Sequence, residues 1–165
     1  MREKRYAKAC DLHEQAFEIA RQIGDRELEC GTLMSSGIAS AGRDPQRGLG
    51  QLKRALEIAR ETGFAPLECE ILNGIGETLS AIGSHHESLD NHRQGLACAM
   101  KVGAAHGVAR AHEGIAGAAS SLGDSETART HWQEALRLYS DIGVGTDRVR
   151  ARLAEVGDAE RSGAS

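Results

Sequence analysis

The segment 55–63, ALEIARETG, decides the fold because its pattern recurs in four copies along the chain. The other copies are 16–24, 95–103 and 135–143. The copies end in Gly24, Gly63, Gly103 and Gly143, which are 39, 40 and 40 residues apart. Apolar residues three and four positions apart form one stripe of an α-helix, and a terminal glycine suits the left-handed conformation that closes a helix. The sequence therefore predicts a helical repeat.

A second helix is predicted before each of the last three copies. Its apolar stripe is clearest in 71–82, and Gly83 and Gly123 close two of these helices. The small residues Gly76 and Ala116 occupy equivalent positions in mid-helix. A glycine there costs about 1 kcal/mol of helix propensity relative to alanine, which favours a position where two helices approach closely.

Helix starts carry signals of their own. Ser84 and Glu87 have the spacing of a capping box, Asp44 precedes Pro45, and Asp124 follows a glycine. The eight predicted helices span 3–23, 27–41, 45–62, 66–82, 85–102, 106–122, 125–142 and 147–156.

These helices predict an all-α protein, a right-handed α-solenoid of antiparallel helical hairpins. The predicted solenoid, 1–157, comprises a half repeat 1–24, repeats 25–63, 64–103 and 104–143, and a capping helix 147–156. Residues 158–165 are expected to be a disordered tail. Repeat 25–63 is one residue shorter than the others, so the helix phase around 35–42 stays open.

Composition limits the function. The 165 residues contain only 3% aromatic residues and carry a net charge of −4. This negative charge gives no general attraction to nucleic acid or anionic lipid. No signal peptide and no long apolar run occurs, and the four cysteines form no CxxC pair. We therefore expect a cytoplasmic protein in which Cys10, Cys30, Cys69 and Cys98 are reduced core thiols.

The repeat pattern resembles the tetratricopeptide repeat (TPR) family, in its longer-period form. The family's small position in the first helix matches Gly76 and Ala116, and its second-helix alanines match Ala9, Ala16, Ala55, Ala128 and Ala135. Leu52 and Trp132 fill the large slot between those alanines, whereas His13 and His92 hold it in two repeats. The stretch 131–153 resembles the C-terminal repeat region of actinobacterial antibiotic-regulatory-protein-like transcriptional regulators. That resemblance implies the regulatory part of a larger bacterial protein.

A solenoid exposes a concave face lined by the first helix of each hairpin, and such a face binds proteins or peptides. The residues expected on this face are Met34, Glu70, Asn73, Glu77, Ser80, Arg110, Glu113, Ser120 and Arg150. Their acidic middle favours a partner that carries arginine or lysine. The sequence therefore predicts a non-catalytic protein- or peptide-interaction module.

No motif predicts catalysis, a cofactor or a metal site. His85 and His92 share a helix face but lie about 10 Å apart, too far for one ion. No nucleophile–base motif and no phosphate-binding glycine loop occurs.

Two further functions stay open. In one, the chain is an effector-sensing domain that binds a small molecule or a signalling peptide inside the superhelix, for which an enclosed apolar pocket is expected. In the other, the chain self-associates through an exposed apolar end near Tyr6, Cys10 and Phe17.

Overall fold

The computed structural model describes residues 2–163, with side chains described for 12–156. Within these residues the structure is all-helical. The helices are α1 (Arg2–Ile23), α2 (Arg26–Ala41), α3 (Pro45–Thr62), α4 (Ala65–Ala81), α5 (His85–Val102), α6 (Ala105–Ser121), α7 (Ser125–Asp141) and α8 (Asp147–Gly163). The predicted bounds of the first seven helices are confirmed to within one residue.

The helix ends follow the predicted glycines. The six glycines at helix ends have φ between 71° and 83°, namely Gly24, Gly63, Gly83, Gly103, Gly123 and Gly143. A side chain at such a position would strain the backbone, so glycine ends the helix without cost. Successive helices consequently turn back on one another after a few residues.

The predicted N-caps are confirmed in two places out of three. Asp44 accepts a hydrogen bond from the backbone N of Arg47, and Asp124 accepts one from the backbone N of Thr127. Ser84 precedes α5 as expected, but its side chain makes no capping bond, so the predicted capping box is wrong.

The helices pack as consecutive antiparallel pairs. The most extensive contacts join α2 to α3, α4 to α5 and α6 to α7, and neighbouring pairs stack through α3–α4 and α5–α6. The first helices of the pairs also touch one another, α2 with α4 and α4 with α6. This row of first helices, continued by α8, forms one side of an α-solenoid, as predicted.

The core depends on a large residue opposite a small one in each pair. Leu52, His92 and Trp132 are buried on α3, α5 and α7, forty positions apart. A β-carbon added at Gly76 would lie 2.6 Å from the His92 ring, and one at Gly37 would lie 2.7 Å from Leu52. The small residues therefore allow the paired helices to approach, as the sequence indicated for Gly76.

Two differences from the sequence prediction concern the ends of the repeats. Helix α8 runs to Gly163 rather than ending near residue 156, because 157–163 contains Ala, Glu and Arg, which favour helix. Helix α2 has 16 residues where α4 and α6 have 17, so the short repeat loses its residue within this helix.

The prediction of reduced cysteines is wrong for one pair. A disulfide joins Cys69 of α4 to Cys98 of α5, whose Cα atoms lie 5.3 Å apart. Antiparallel pairing brings these positions together at a separation that disulfides commonly take. Cys30 is a buried free thiol, as predicted, and its Sγ lies 3.3 Å from Ala55 O. The side chain of Cys10 lies outside the described residues.

Candidate functional site

The row of first helices forms a shallow groove where α4, α6 and α8 face each other. We call this surface the inner groove. It is lined by Glu77, Ser80, Glu113, Gly114, Gly117 and Arg148, around a cavity of about 220 Å³. It continues on one side into a space of about 240 Å³ beside Tyr139, and on the other into one of about 410 Å³ beside Ser120.

Arg110 holds Glu77 of the inner groove and the neighbouring Glu70 in place. Its Nε and Nη2 donate to the two carboxylate oxygens of Glu77 at 2.6 and 2.8 Å, and its Nη1 donates to Glu70 at 2.7 Å. The hydrogen bond to Glu77 contributes most to a raised pKa of Arg110. A bidentate arginine–carboxylate pair fixes the orientation of both side chains. The Arg110–Glu77 contact between α6 and α4 therefore has one defined geometry.

Glu113 forms the second polar centre of the groove. It accepts hydrogen bonds from the hydroxyl of Tyr139 at 3.0 Å and from Nη2 of Arg148 at 2.7 Å. Burial, and then the neighbouring Glu113 carboxylate, raise the pKa of Tyr139. The tyrosine therefore stays a neutral donor, and Glu113 links α6 to both α7 and α8.

The pairing of these charges alters the electrostatics expected from sequence. The three predicted glutamates, Glu70, Glu77 and Glu113, each contact an arginine. Three carboxylates set against Arg110 and Arg148 leave a formal charge of −1 (three negative, two positive). The groove is therefore polar and close to neutral rather than strongly acidic, and a partner with basic residues stays a prediction.

Asn73 was expected on the groove, and this placement is wrong. Its side chain is fully buried, with Nδ2 donating to Gly107 O at 3.3 Å and Oδ1 lying 3.1 Å from His92 Nδ1. It faces the interior between α4, α5 and α6, because neighbouring positions on α4 point in different directions. No partner can reach it in this structure.

The remaining predicted residues divide between groove and surroundings. Ser80 lines the inner groove, and Ser120 lines its extension near Trp132. Met34 is half-buried against the core formed by α2, α3 and α4, so it contributes packing. Arg150 is exposed and lines none of these cavities, whereas Arg148 does, so the place of Arg150 on the concave face stays a prediction.

Sequence reasoning missed Arg148, Tyr139 and Gly114. Gly114 lies forty residues after Gly74, so the repeat period was the available signal. Arg148 carried none, because the last helix has no later copy to fix its phase. Tyr139 occupies the second-helix position of Ala59 and Ala99, and only the structure shows that its hydroxyl reaches across to Glu113.

No metal centre is formed among the described residues, where no three His, Cys, Asp or Glu side chains are grouped for one ion. His92 is buried in the core, away from any shared site with His85. His112 and His131 do meet, with their Nδ1 atoms 2.9 Å apart, and burial lowers the pKa of both. One ring must then donate and the other accept, so the pair joins α6 to α7 while neutral. In the same part of the chain, no helix has the length and apolar character needed to cross a membrane.

Comparisons with known proteins place the fold. No family model and no curated protein sequence matches the chain. Among solved structures, a Rap protein in complex with the competence and sporulation factor aligns with a TM-score of 0.84 and 16% identity, over 98% of this chain and 46% of that one. Apo RapI gives the same values, so the chain spans less than half the length of the Rap structures.

Two further solved structures also align with this fold. BtubC from P. vanneervenii aligns with a TM-score of 0.85 and 17% identity, over 96% of this chain and 68% of that one. The TPR domain of Arabidopsis FLU aligns with a TM-score of 0.65 and 24% identity, over 70% of this chain and 98% of that domain. Identities this low support shape alone. The chain therefore has the fold of the TPR-like helical-repeat proteins.

Proposed function

We propose that this chain is a non-catalytic interaction module that binds a peptide segment of a partner protein along the inner groove. The observation that carries the proposal is the groove itself, in which arginine–glutamate pairs fix polar groups beside an open space between three helices. A Rap protein of similar shape was crystallised with the competence and sporulation factor, which supports the proposal by analogy.

The groove chemistry indicates a ligand with both polar and small apolar parts. Glu77, Glu113 and Arg148 offer hydrogen bonds at its edges, whereas Gly117, where an added β-carbon has no neighbour within 4 Å, gives a low floor on which a backbone can lie close. A micromolar complex needs about 8 kcal/mol, which a few contacts of about 2 kcal/mol each supply. An extended or helical segment can make such contacts along three helices.

A variant that fills the groove tests this proposal. Peptides are selected from a random display library on the wild-type protein, and their affinities are measured by fluorescence anisotropy. The substitution Gly117→Arg places a long side chain in the groove, where an added β-carbon has no neighbour within 4 Å. We expect it to lower peptide affinity by at least tenfold, about 1.4 kcal/mol.

The matched control is Gly42→Arg, at a position that is equally open but lies at the end of α2, outside the groove. This variant should bind the selected peptides as the wild type does. Peptides that bind Gly117→Arg with unchanged affinity would show that the inner groove is not the binding surface.

We also propose that the module is the regulatory region of a larger bacterial transcriptional regulator. The support is the resemblance of 131–153 to the end of such proteins. Immunoblotting of the source cells with antibodies to this chain tests the proposal. It requires a polypeptide well above 17.6 kDa, and a product of that size alone contradicts it.

A further inference from the structure

The first helical pair departs from the others in its core. Helix α4 buries Ile71, Ile75 and Leu79 on one stripe. The positions thirty-nine residues earlier on α2 hold Thr32, Ser36 and Ser40, which are also buried. Burying hydroxyl groups in place of isoleucine and leucine gives up apolar stabilisation and requires hydrogen bonds. The first repeat thus carries a polar stripe where the second repeat packs tightly.

A cavity of about 360 Å³ lies at this polar stripe, between α1, α2 and α3. We call it the α1–α3 cavity. Its floor includes Thr32, Leu33 and Ser36, and Gly50 on α3 adds no side chain to fill it. Small-molecule sites commonly have volumes of roughly 300–1,000 Å³ and combine apolar walls with a few polar groups. The cavity meets both conditions and lies apart from the inner groove.

Gln51 joins α3 to the polar stripe at this cavity. Its Nε2 donates to Ser36 Oγ at 2.8 Å. The hydroxyl oxygens of Thr32 and Ser36 can each accept a further hydrogen bond, and both residues line the cavity. A ligand that carries a donor can bond to one of them.

Two arginines line the cavity. Arg47 and Arg54 lie seven positions apart, on the same face of α3, and neither forms an ion pair with another described residue. Arg54 instead lies over the ring of Phe17, 5.1 Å from its centre. Among the described residues that line the cavity, Glu14 is the one carboxylate, so the charged groups of that set sum to +1 (two positive, one negative). This end of the cavity favours an anion.

We propose that the α1–α3 cavity binds a small amphipathic carboxylate that carries a hydrogen-bond donor at its other end. The carboxylate lies between Arg47 and Arg54, the apolar body contacts Phe17 and Leu33, and the donor bonds to the hydroxyl oxygen of Thr32 or Ser36. The site differs in place and in ligand from the inner groove, so it stands whether or not a peptide binds there. It gives the chain a location for effector sensing apart from the inner groove.

Three related compounds test the proposal on the 165-residue chain. The probe is 4-hydroxybenzoate, which has the carboxylate, the ring and the donor. Its methyl ester lacks the charge, and 4-methoxybenzoate lacks the donor. Binding is measured by isothermal titration calorimetry, and the side-chain amide of Gln51 is followed by NMR. We expect 4-hydroxybenzoate to bind most tightly and to shift the Gln51 amide signal.

Two variants separate the site from non-specific binding. Arg54→Gln removes a charge-assisted contact and should weaken 4-hydroxybenzoate by about tenfold or more. The double variant Thr32→Ile, Ser36→Ile copies the residues of α4, fills the cavity and should abolish binding while keeping the protein folded. Arg93→Gln, which removes an exposed arginine of α5, should leave affinity unchanged.

The contradicting results are equally definite. The proposal is wrong if 4-hydroxybenzoate shows no binding at millimolar concentration, because the cavity then holds solvent only. It is also wrong if the methyl ester binds as well as the acid, or if the double isoleucine variant binds like the wild type.

Discussion

Nδ1 of His92 lies 3.1 Å from Oδ1 of Asn73, and both side chains are buried. Asn73 Nδ2 donates to the backbone carbonyl of Gly107, so its oxygen is left to accept a hydrogen bond from the histidine N–H. The bond network joins α4, α5 and α6, two consecutive repeats. A buried network of this kind stabilises one packing arrangement only while every member keeps its partner.

The first prediction concerns acid stability. Burial lowers the pKa of His92 from 6.5 to about 4, with Arg110 adding to the effect and Glu77 opposing it. Between these pH values the unfolded chain binds a proton that the folded chain does not, so the free energy of unfolding falls as the pH drops from 6.5 to 4. The loss amounts to about 3 kcal/mol at the lower end. Urea denaturation at pH 7 and at pH 4.5 measures it.

The control for this prediction is His92→Gln, which keeps a hydrogen-bonding amide but does not titrate. The other histidines with lowered pKa, His112 and His131, remain in both proteins, so their contributions cancel in the comparison. The variant should lose less stability between the two pH values than the wild type. An identical pH dependence would assign the effect to other groups.

A second prediction compares two glycines of α6. A β-carbon added at Gly114 would overlap the His92 ring, whereas one at Gly117 would have no neighbour within 4 Å. Gly114→Ala should lower the free energy of unfolding by about 1–3 kcal/mol through overpacking. Gly117→Ala should raise it by up to about 1 kcal/mol, because alanine favours helix. Thermal unfolding of both variants measures these changes. Equal shifts in melting temperature would exclude the close contact between Gly114 and His92.

A third prediction concerns the arginine that joins α4 to α6. Replacing Arg110 by Gln leaves Glu70 and Glu77 without their shared partner, and Arg110 is only 18% exposed. We expect a loss of about 1–3 kcal/mol in the free energy of unfolding. Arg137→Gln is the matched control, since its pairs with Glu134 and Asp141 lie on an exposed helix face and are worth about 0.5 kcal/mol or less. Equal losses would mean that the Arg110 contacts contribute no more than surface pairs.

A fourth prediction concerns the disulfide between Cys69 and Cys98, which encloses 29 residues. In the chain-entropy model, a loop of this length stabilises the folded chain by about 3–4 kcal/mol. Reduction should therefore lower the melting temperature. The helices should stay packed, because each reduced thiol can donate a hydrogen bond to Ala65 O, which lies 3.0 Å from Cys69 Sγ and 3.4 Å from Cys98 Sγ. Melting with and without reductant measures the effect. The Cys69→Ser, Cys98→Ser double variant should not respond, and a response would mean that the disulfide is not the cause.

The repeat period allowed most of the fold to be predicted. Each glycine that ends a helix is a local signal, because its left-handed backbone depends on one residue alone. The directions of side chains were harder to predict from the sequence. Asn73 was placed wrongly because a helix turns about 100° per residue, so an error of one position moves a side chain from the groove to the core.

Contacts between the two helices of one repeat left no local signal. The Cys69–Cys98 pair and the Tyr139–Glu113 bond join residues 29 and 26 positions apart, which only the packing of the helices brings together. The polar stripe of Thr32, Ser36 and Ser40 was visible in the sequence. It became informative only when the structure aligned it with Ile71, Ile75 and Leu79.

The outer face of α1 carries apolar residues that nothing in the described structure covers. Ile19 is 55% exposed, whereas its counterpart Ile58 on α3 is 4% exposed because α2 packs against it. Leu12 and Ile23 lie on the same face as Ile19 and are also exposed. Phe17, expected at this end, is half-buried beneath Arg54, and the side chains of Tyr6 and Cys10 lie outside the described part of the chain.

The fifth prediction is that this face mediates self-association of the 165-residue chain. Exposed apolar stripes of this kind pair readily, but a single helix face buries less than a standard interface, so the dimer should be weak. Light scattering over a range of concentrations should show a rising average mass. Ile19→Glu should abolish the rise because it places a charge in the stripe. Met100→Glu, which changes an equally exposed residue of α5, should not. A constant monomer mass at the highest concentration would leave the exposed face of α1 without a role in assembly.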